Sequence, residues 1–134
     1  MGGWPDGLGK GRVKLLGMLP REKIIEAMTD SQLFLHTAVK DPCPNAIFEA
    51  ICMGLPVIYN PGVGSSSEIV GNCGIALDET DLTKTITQAR QQLSQLQKTV
   101  LAQRKRYSVK YAAFRYGQIF EEQTLRGSTT APAV

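Results

Sequence analysis

"DPCPNAIFEAICMGLPVI", residues 41–58, decides how the rest of the chain is read. Pro42 and Pro44 fix φ and push the residue before each of them toward extended backbone, so the chain enters its next element on a rigid path. Asn45 is a good N-cap, which predicts a helix from Ala46. Gly54 suits the left-handed conformation that commonly ends a helix. "PVIYN" (56–60) then reads as a strand. The unit is a stiff loop, a short helix and a strand, with carboxylates at Asp41 and Glu49 on either side of the helix start.

The pattern repeats outward. Upstream, "RVKLLG" (12–17) reads as a strand ended by Gly17, and "QLFLH" (32–36) as another. Between them "PREKIIEAMTD" (20–30) reads as a helix with Pro20 at its start and Ile24, Ile25 and Met28 on one face. Downstream, "PGVGSSSEIVG" (61–71) is a Gly/Ser loop running into a short helix, and "CGIAL" (73–77) is a fourth strand. Strands alternating with short helices imply right-handed βαβ units. The expected fold is α/β: a small parallel sheet of about four strands flanked by helices.

Beyond Asp78 the period changes. Leu82, Ile86, Ala89, Leu93, Leu96 and Val100 make one apolar seam on a helix from Asp81 to Lys105. The seam fits a helix lying across the sheet better than a coiled coil, because helices of α/β domains cover sheet faces. Ser108 can cap a last helix carrying Tyr111, Phe114, Ile119 and Phe120. The domain is expected over 12–126, with flexible ends at 1–11 and 127–134.

Composition narrows the function classes. The chain has 134 residues, 43% hydrophobic and 20% charged, and a formal net charge of +3. This is a soluble globular balance, and so mild a positive charge does not argue for nucleic acid as a partner. No apolar run approaches the roughly 18 residues of a membrane span, and the N-terminus lacks the apolar core of a signal peptide. The three cysteines, Cys43, Cys52 and Cys73, fit no zinc spacing. They read as reduced thiols in a cytoplasmic protein, with Cys52 and Cys73 in the core. Neither a metal nor a cofactor is expected.

The first backbone N–H groups of a helix have no internal partner and carry the positive end of its dipole, so the helix start near Ala46 is suited to a phosphate. In an open parallel sheet it lies at the carboxyl ends of the strands, where ligands bind. Glu49 would repel a phosphate and so points to a neutral hydroxylated group such as a ribose. Asp41 could accept hydrogen bonds from sugar hydroxyls. The plainer alternative is a Pro-stiffened loop before a helix whose acids suit its dipole.

The same residues resemble a family. Asp41-Pro-Cys-Pro-Asn-Ala-Ile-Phe-Glu49, continuing to Gly54-Leu-Pro56-Val-Ile58, is similar to the Glu-x7-Glu segment of retaining GT-B glycosyltransferases of the group 1 (family 4) type. The likeness extends upstream through "VKLLGMLPREKIIEAMTDSQLFLHTA" and downstream through "SEIVGNCGIAL" and "RYSVKYAAFRYGQIFEE", over roughly residues 13–122. It implies an incomplete Rossmann-like sheet and transfer of a hexose-type sugar, with retention, from a nucleoside diphosphate sugar. Carried over, Asp41 is the candidate catalytic residue at the donor sugar and Glu49 binds the ribose. Backbone N–H groups at Cys43, Asn45, Ala46 and Ile47 face the sugar and diphosphate, and Gly62 and Gly64 allow close backbone approach. Asp41 replaces the usual Glu and is one methylene shorter. Pro42 replaces a Gly. The family's Gly-Gly-x-x-Glu loop becomes "PGVGSSSE", with Glu68 one residue late.

The resemblance further implies an acceptor-binding N-terminal domain that this segment does not contain. The isolated chain is therefore expected to be the donor half, inactive alone, its partner domain upstream or on a separate chain. An alternative is a non-catalytic interaction module, forming homo-oligomers through its C-terminal helices. His36, at a strand end, could face the donor or be structural. "RKRYSVKYAAFR" (104–115) interleaves basic residues with aromatics and reads as a solvated charged face with its aromatics packed inward.

Overall fold

The computed structural model describes residues 13–127. The expected flexible ends therefore lie, apart from Gly127, outside the described residues. In chain order the elements are α1 (Arg21–Thr29), β1 (Phe34–His36), α2 (Asn45–Met53), β2 (Val57–Tyr59), α3 (Ser66–Val70), β3 (Gly74–Ala76), α4 (Leu82–Gln91), α5 (Leu93–Gln103) and α6 (Val109–Gly127). Single turns of 3-10 helix lead into β3 (Gly71–Cys73) and follow α5 (Arg104–Tyr107).

The sheet has three parallel strands in the order β1-β2-β3. Phe34, Leu35 and His36 stand beside Val57, Ile58 and Tyr59, which stand beside Gly74, Ile75 and Ala76. This is the expected α/β arrangement, an incomplete Rossmann-like sheet flanked by helices, with one strand fewer. Residues 13–17 form no strand: Val13, Leu15 and Leu16 are exposed. β-prone residues make a strand only against a partner.

Parallel neighbours need crossovers, and α2 and α3 supply them. The α2 stripe Ile47, Ala50 and Ile51 is fully buried, as is Val70 of α3. With Leu55, Val57, Ile69, Cys73 and Val100 these residues form the core. α2 stops where the sequence says: Gly54 takes φ 89°, and its N–H donates to the Ala50 and Ile51 carbonyls. Ile58, pointing to the other face of the sheet, is buried, whereas its register partner Leu35 is 41% exposed, so that face is covered only in part.

The long helix expected over 81–105 is two helices broken at Gln92, which has φ −97° and ψ 5°. The break turns α4 so that Thr85 and Ala89 are buried while Leu82 and Ile86 are exposed. Thr85 is accommodated because its hydroxyl accepts the Asp78 N–H at 3.0 Å and donates to the Asp81 carbonyl. The acids before α4 are engaged in hydrogen bonds. Asp81 caps the Lys84 N–H at 2.8 Å, and Glu79 accepts from Asn60 Nδ2 at 2.9 Å.

Tyr107 joins the helical extension to the α/β unit. Its hydroxyl donates to the Ile69 carbonyl at 2.7 Å and its ring packs on Phe48 at 5.9 Å. The expected Ser108 cap is present, accepting the Tyr111 N–H at 3.2 Å. The aromatics of α6 do not pack inward: Phe114 is 60% exposed and Phe120 69%. No helix among the described residues is long and apolar enough to cross a membrane.

Candidate functional site

The site is built where β1 ends and α2 begins. The loop 37–44 is fixed by its prolines and by its neighbour. The Pro42 carbonyl accepts both the N–H and the hydroxyl of Ser65, at 3.2 and 3.0 Å. Gly64 presses against the same segment at φ 47°, so close that a Cβ there would lie 2.2 Å from the Asp41 carbonyl oxygen. The loops 41–44 and 61–66 are therefore one rigid body. The close approach expected of Gly64 toward a ligand is used inside the protein, against Asp41 and Pro42.

Within that body Asp41 is half-exposed and doubly engaged. Oδ1 accepts the Cys43 N–H at 3.2 Å, the geometry of an Asx turn. Oδ2 lies 3.9 Å from Nε2 of His36, the buried last residue of β1. The Cys43 N–H, expected to face a ligand, is thus turned to Asp41, while the Cys43 thiol is exposed.

α2 starts one residue earlier than expected. Pro44 is its cap residue, with φ −71° and ψ 99°, and Asn45 is the first helical residue, its side chain making no capping bond. Pro44 has no N–H to leave unsatisfied, which suits this place. Its carbonyl accepts the Ile47 N–H at 3.1 Å, so the N–H of Ile47, a fully buried residue, is not free for a ligand. The N–H groups of Asn45 and Ala46 remain without an acceptor. The anion-attracting end of the helix is these two groups with the helix dipole behind them.

Glu49 lies in the second turn of α2, not the first, about 6 Å along the helix axis from its start. It is exposed and lines a groove of about 180 Å³ between α1 and α2, with Arg21, Ile24, Ile25, Met28, Cys52 and Met53. Cys52 was expected in the core. It is exposed because the buried stripe of α2 is Ile47, Ala50 and Ile51, which turns the next residue outward. Cys73 is buried as expected, and burial pushes its thiol pKa up.

The Gly62 N–H, like that of Cys43, is used internally, donating to Asn60 Oδ1 at 3.0 Å. Glu68, in the first turn of α3, lines a different cavity of about 400 Å³ with Asn72, Gln103, Arg106, Tyr107 and Tyr111. Among the described residues no three His, Cys, Asp or Glu side chains gather to hold a metal ion. The structure thus brings together Asp41, Cys43, Asn45, Ala46 and Gly64, with His36 beneath them. Glu49 stands one turn away along α2.

One comparison with known proteins bears on this geometry. A family model described as "Glycosyl transferases group 1" matches residues 4–95, more than half of the chain. The match takes in the whole sheet, α1 to α4 and every residue of the site, and ends inside α5. No curated protein and no solved structure matches.

Proposed function

The chain belongs to the group 1 glycosyl transferases, and from that premise we propose that it forms the donor-binding, C-terminal half of a retaining GT-B transferase. It binds a nucleoside diphosphate sugar and serves transfer of a hexose-type sugar with retained configuration. The observation that carries this reading is the start of α2: two unpaired N–H groups, at Asn45 and Ala46, beside the carboxylate of Asp41, which accepts the Cys43 N–H. The diphosphate takes the N–H groups and the dipole. The hydroxyls of the donor sugar take Asp41. Glu49, about 6 Å further along the helix, takes the ribose.

Two N–H groups are a small share of what stabilises the charge developing on a departing diphosphate. The chain by itself is therefore expected to bind the donor and turn it over little. An acceptor-binding partner, joined to it or separate, completes the reaction. The three unpaired cysteines support a reducing compartment such as the cytoplasm.

A thermal-shift titration with UDP, GDP and ADP sugars tests donor binding. Saturation at about 100 times Kd stabilises the folded protein by about 2.7 kcal/mol. Glu49→Ala, an exposed change, should leave the unliganded midpoint in place and lower the shift. No shift with any of the three nucleotides sinks the proposal.

A second reading draws on α6. Phe114, Tyr116, Ile119 and Phe120 are all exposed on one helix, and a non-catalytic module that assembles through this helix would use them. A concentration-dependent dimer broken by Phe114→Ser, with no nucleotide binding, is its signature.

A further inference from the structure

Among the described residues two buried side-chain polar atoms lack a hydrogen-bond partner, His36 Nδ1 and Ser66 Oγ. Both belong to the surroundings of Asp41. Ser66 follows Gly64 and Ser65, whose backbones pack on and bond to the Asp41–Pro42 segment. His36 is nearer still, with Nε2 3.9 Å from Asp41 Oδ2. A buried polar atom without a partner weakens the fold, and where a native protein keeps one it calls for an explanation. An apolar side chain at position 36 could pack beside Phe34, whose ring centroid is 6.4 Å from that of the imidazole, without that cost. The fold therefore does not account for a histidine here.

We propose that His36 is a positioning residue for Asp41, which it holds in the orientation that binds the donor sugar. This rests on the donor-binding reading of Asp41. The carboxylate has two oxygens, one bonded and one approached by the imidazole. Oδ1 is tied to the Cys43 N–H at 3.2 Å, a bond within its own turn that by itself lets the group pivot. Oδ2 faces the imidazole Nε2, and a shift of about 1 Å closes that approach to a hydrogen bond. Restraint from two sides fixes the plane of the carboxylate. With the Nε2 proton toward Asp41, Nδ1 is the acceptor nitrogen of the ring.

Rigidity matters here because Asp is short. A longer acid could find a hydroxyl by rotating its own stem. Asp41 has one methylene and is carried on a loop that Pro42, Pro44, Ser65 and Gly64 hold still. Its aim is set by what lies against its oxygens, and His36 is the side chain that approaches Oδ2.

The test compares the affinity of the 134-residue chain for UDP, GDP and ADP with that for their glucose esters, by calorimetry. The readout is the ratio of the two affinities for whichever base binds. Asp41→Ala removes the contact with the sugar and should lower the ratio by about tenfold, the worth of a hydrogen bond to a charged group. His36→Leu should lower it by a similar factor while leaving affinity for the bare nucleotide unchanged and the thermal midpoint no lower. His36→Gln places an amide N–H near the position of Nε2 and should restore most of the ratio. The double variant Asp41→Ala/His36→Leu should match Asp41→Ala alone, because His36 acts through Asp41. A ratio that falls in Asp41→Ala but not in His36→Leu, or losses that add in the double variant, overturns the positioning role and leaves the donor site standing. A ratio unmoved by Asp41→Ala, or no nucleotide binding, overturns the donor reading and this inference with it.

Discussion

Gly64→Ala is the perturbation that separates a ligand-facing glycine from a structural one. Gly64 has φ 47°, and an added Cβ would lie 2.2 Å from the Asp41 carbonyl oxygen, 2.7 Å from the Pro42 oxygen and 2.8 Å from the Pro42 carbon. Gly54, at φ 89° and ψ 13°, is an internal control: the same added atom meets only the end of the Leu101 side chain, at 3.4 Å. The left-handed backbone costs an alanine about 1–2 kcal/mol. The stiffer unfolded chain returns about 0.4–1 kcal/mol of this. Gly54→Ala should therefore cost about 1 kcal/mol. Gly64→Ala carries the same backbone cost, and the contact must also be relieved by moving backbone, since no flexible side-chain end is involved. Moving Pro42 away strains or breaks the two hydrogen bonds its carbonyl accepts from Ser65. Each is worth about 0.5–1.5 kcal/mol, so Gly64→Ala should cost about 2–4 kcal/mol. Urea unfolding of the two variants and the parent measures the difference directly. A cost for Gly64→Ala equal to that for Gly54→Ala would refute the locked-loop account.

Two further outcomes follow from the helical extension. Tyr107→Phe removes the hydroxyl bonded to the Ile69 carbonyl and should lower stability by about 1 kcal/mol, because a partly buried carbonyl loses its partner; an unchanged urea midpoint would contradict this. The alkaline limb of stability is set in part by Cys73 and Tyr107, whose pKa values are raised above 9.0 and 10.0, in both cases chiefly by burial. The stability they confer is fully present below those ordinary values. It is lost as pH rises past about 9, where the unfolded chain ionises first. Urea midpoints from pH 8 to 11 should fall, and less steeply in Cys73→Val; an equal slope in the variant would show that Cys73 has no part in it.

The part of the fold written in local chemistry was legible in the sequence. Pro44, Gly54 and Pro56 punctuate the α2–β2 unit, and each does in the structure what its covalent form requires. The alternation of short strands with short helices led to the parallel sheet. What was not legible depended on partners distant in sequence. Val13 to Gly17 have the residues of a strand but pair with no strand among the described residues. Gln92 is neither Gly nor Pro, and nothing local announces that the helix turns there. Cys52 was placed inward by residue type, while the helical phase of Ile47, Ala50 and Ile51 turns it out.

The candidate site divides in the same way. Asp41 and the start of α2 could be found from the prolines and the spacing to Glu49. How many N–H groups remain free could not, because Asp41 takes that of Cys43, Pro44 takes that of Ile47 and Asn60 takes that of Gly62. The approach of His36 to Asp41 was equally hidden: a histidine at a strand end has many uses, and its neighbour five residues on is reached only once the loop folds back.

The measurement that bears most directly on the donor site is a backbone amide titration of the isotope-labelled chain with UDP, GDP and ADP sugars. The account predicts that one of them shifts the Asn45 and Ala46 amide resonances first and most, saturably, with Glu49 following and Ile47 moving little. Perturbation centred instead on Glu68, Asn72 and Tyr111, or no saturable shift at Asn45 and Ala46 with any of the three, would contradict it.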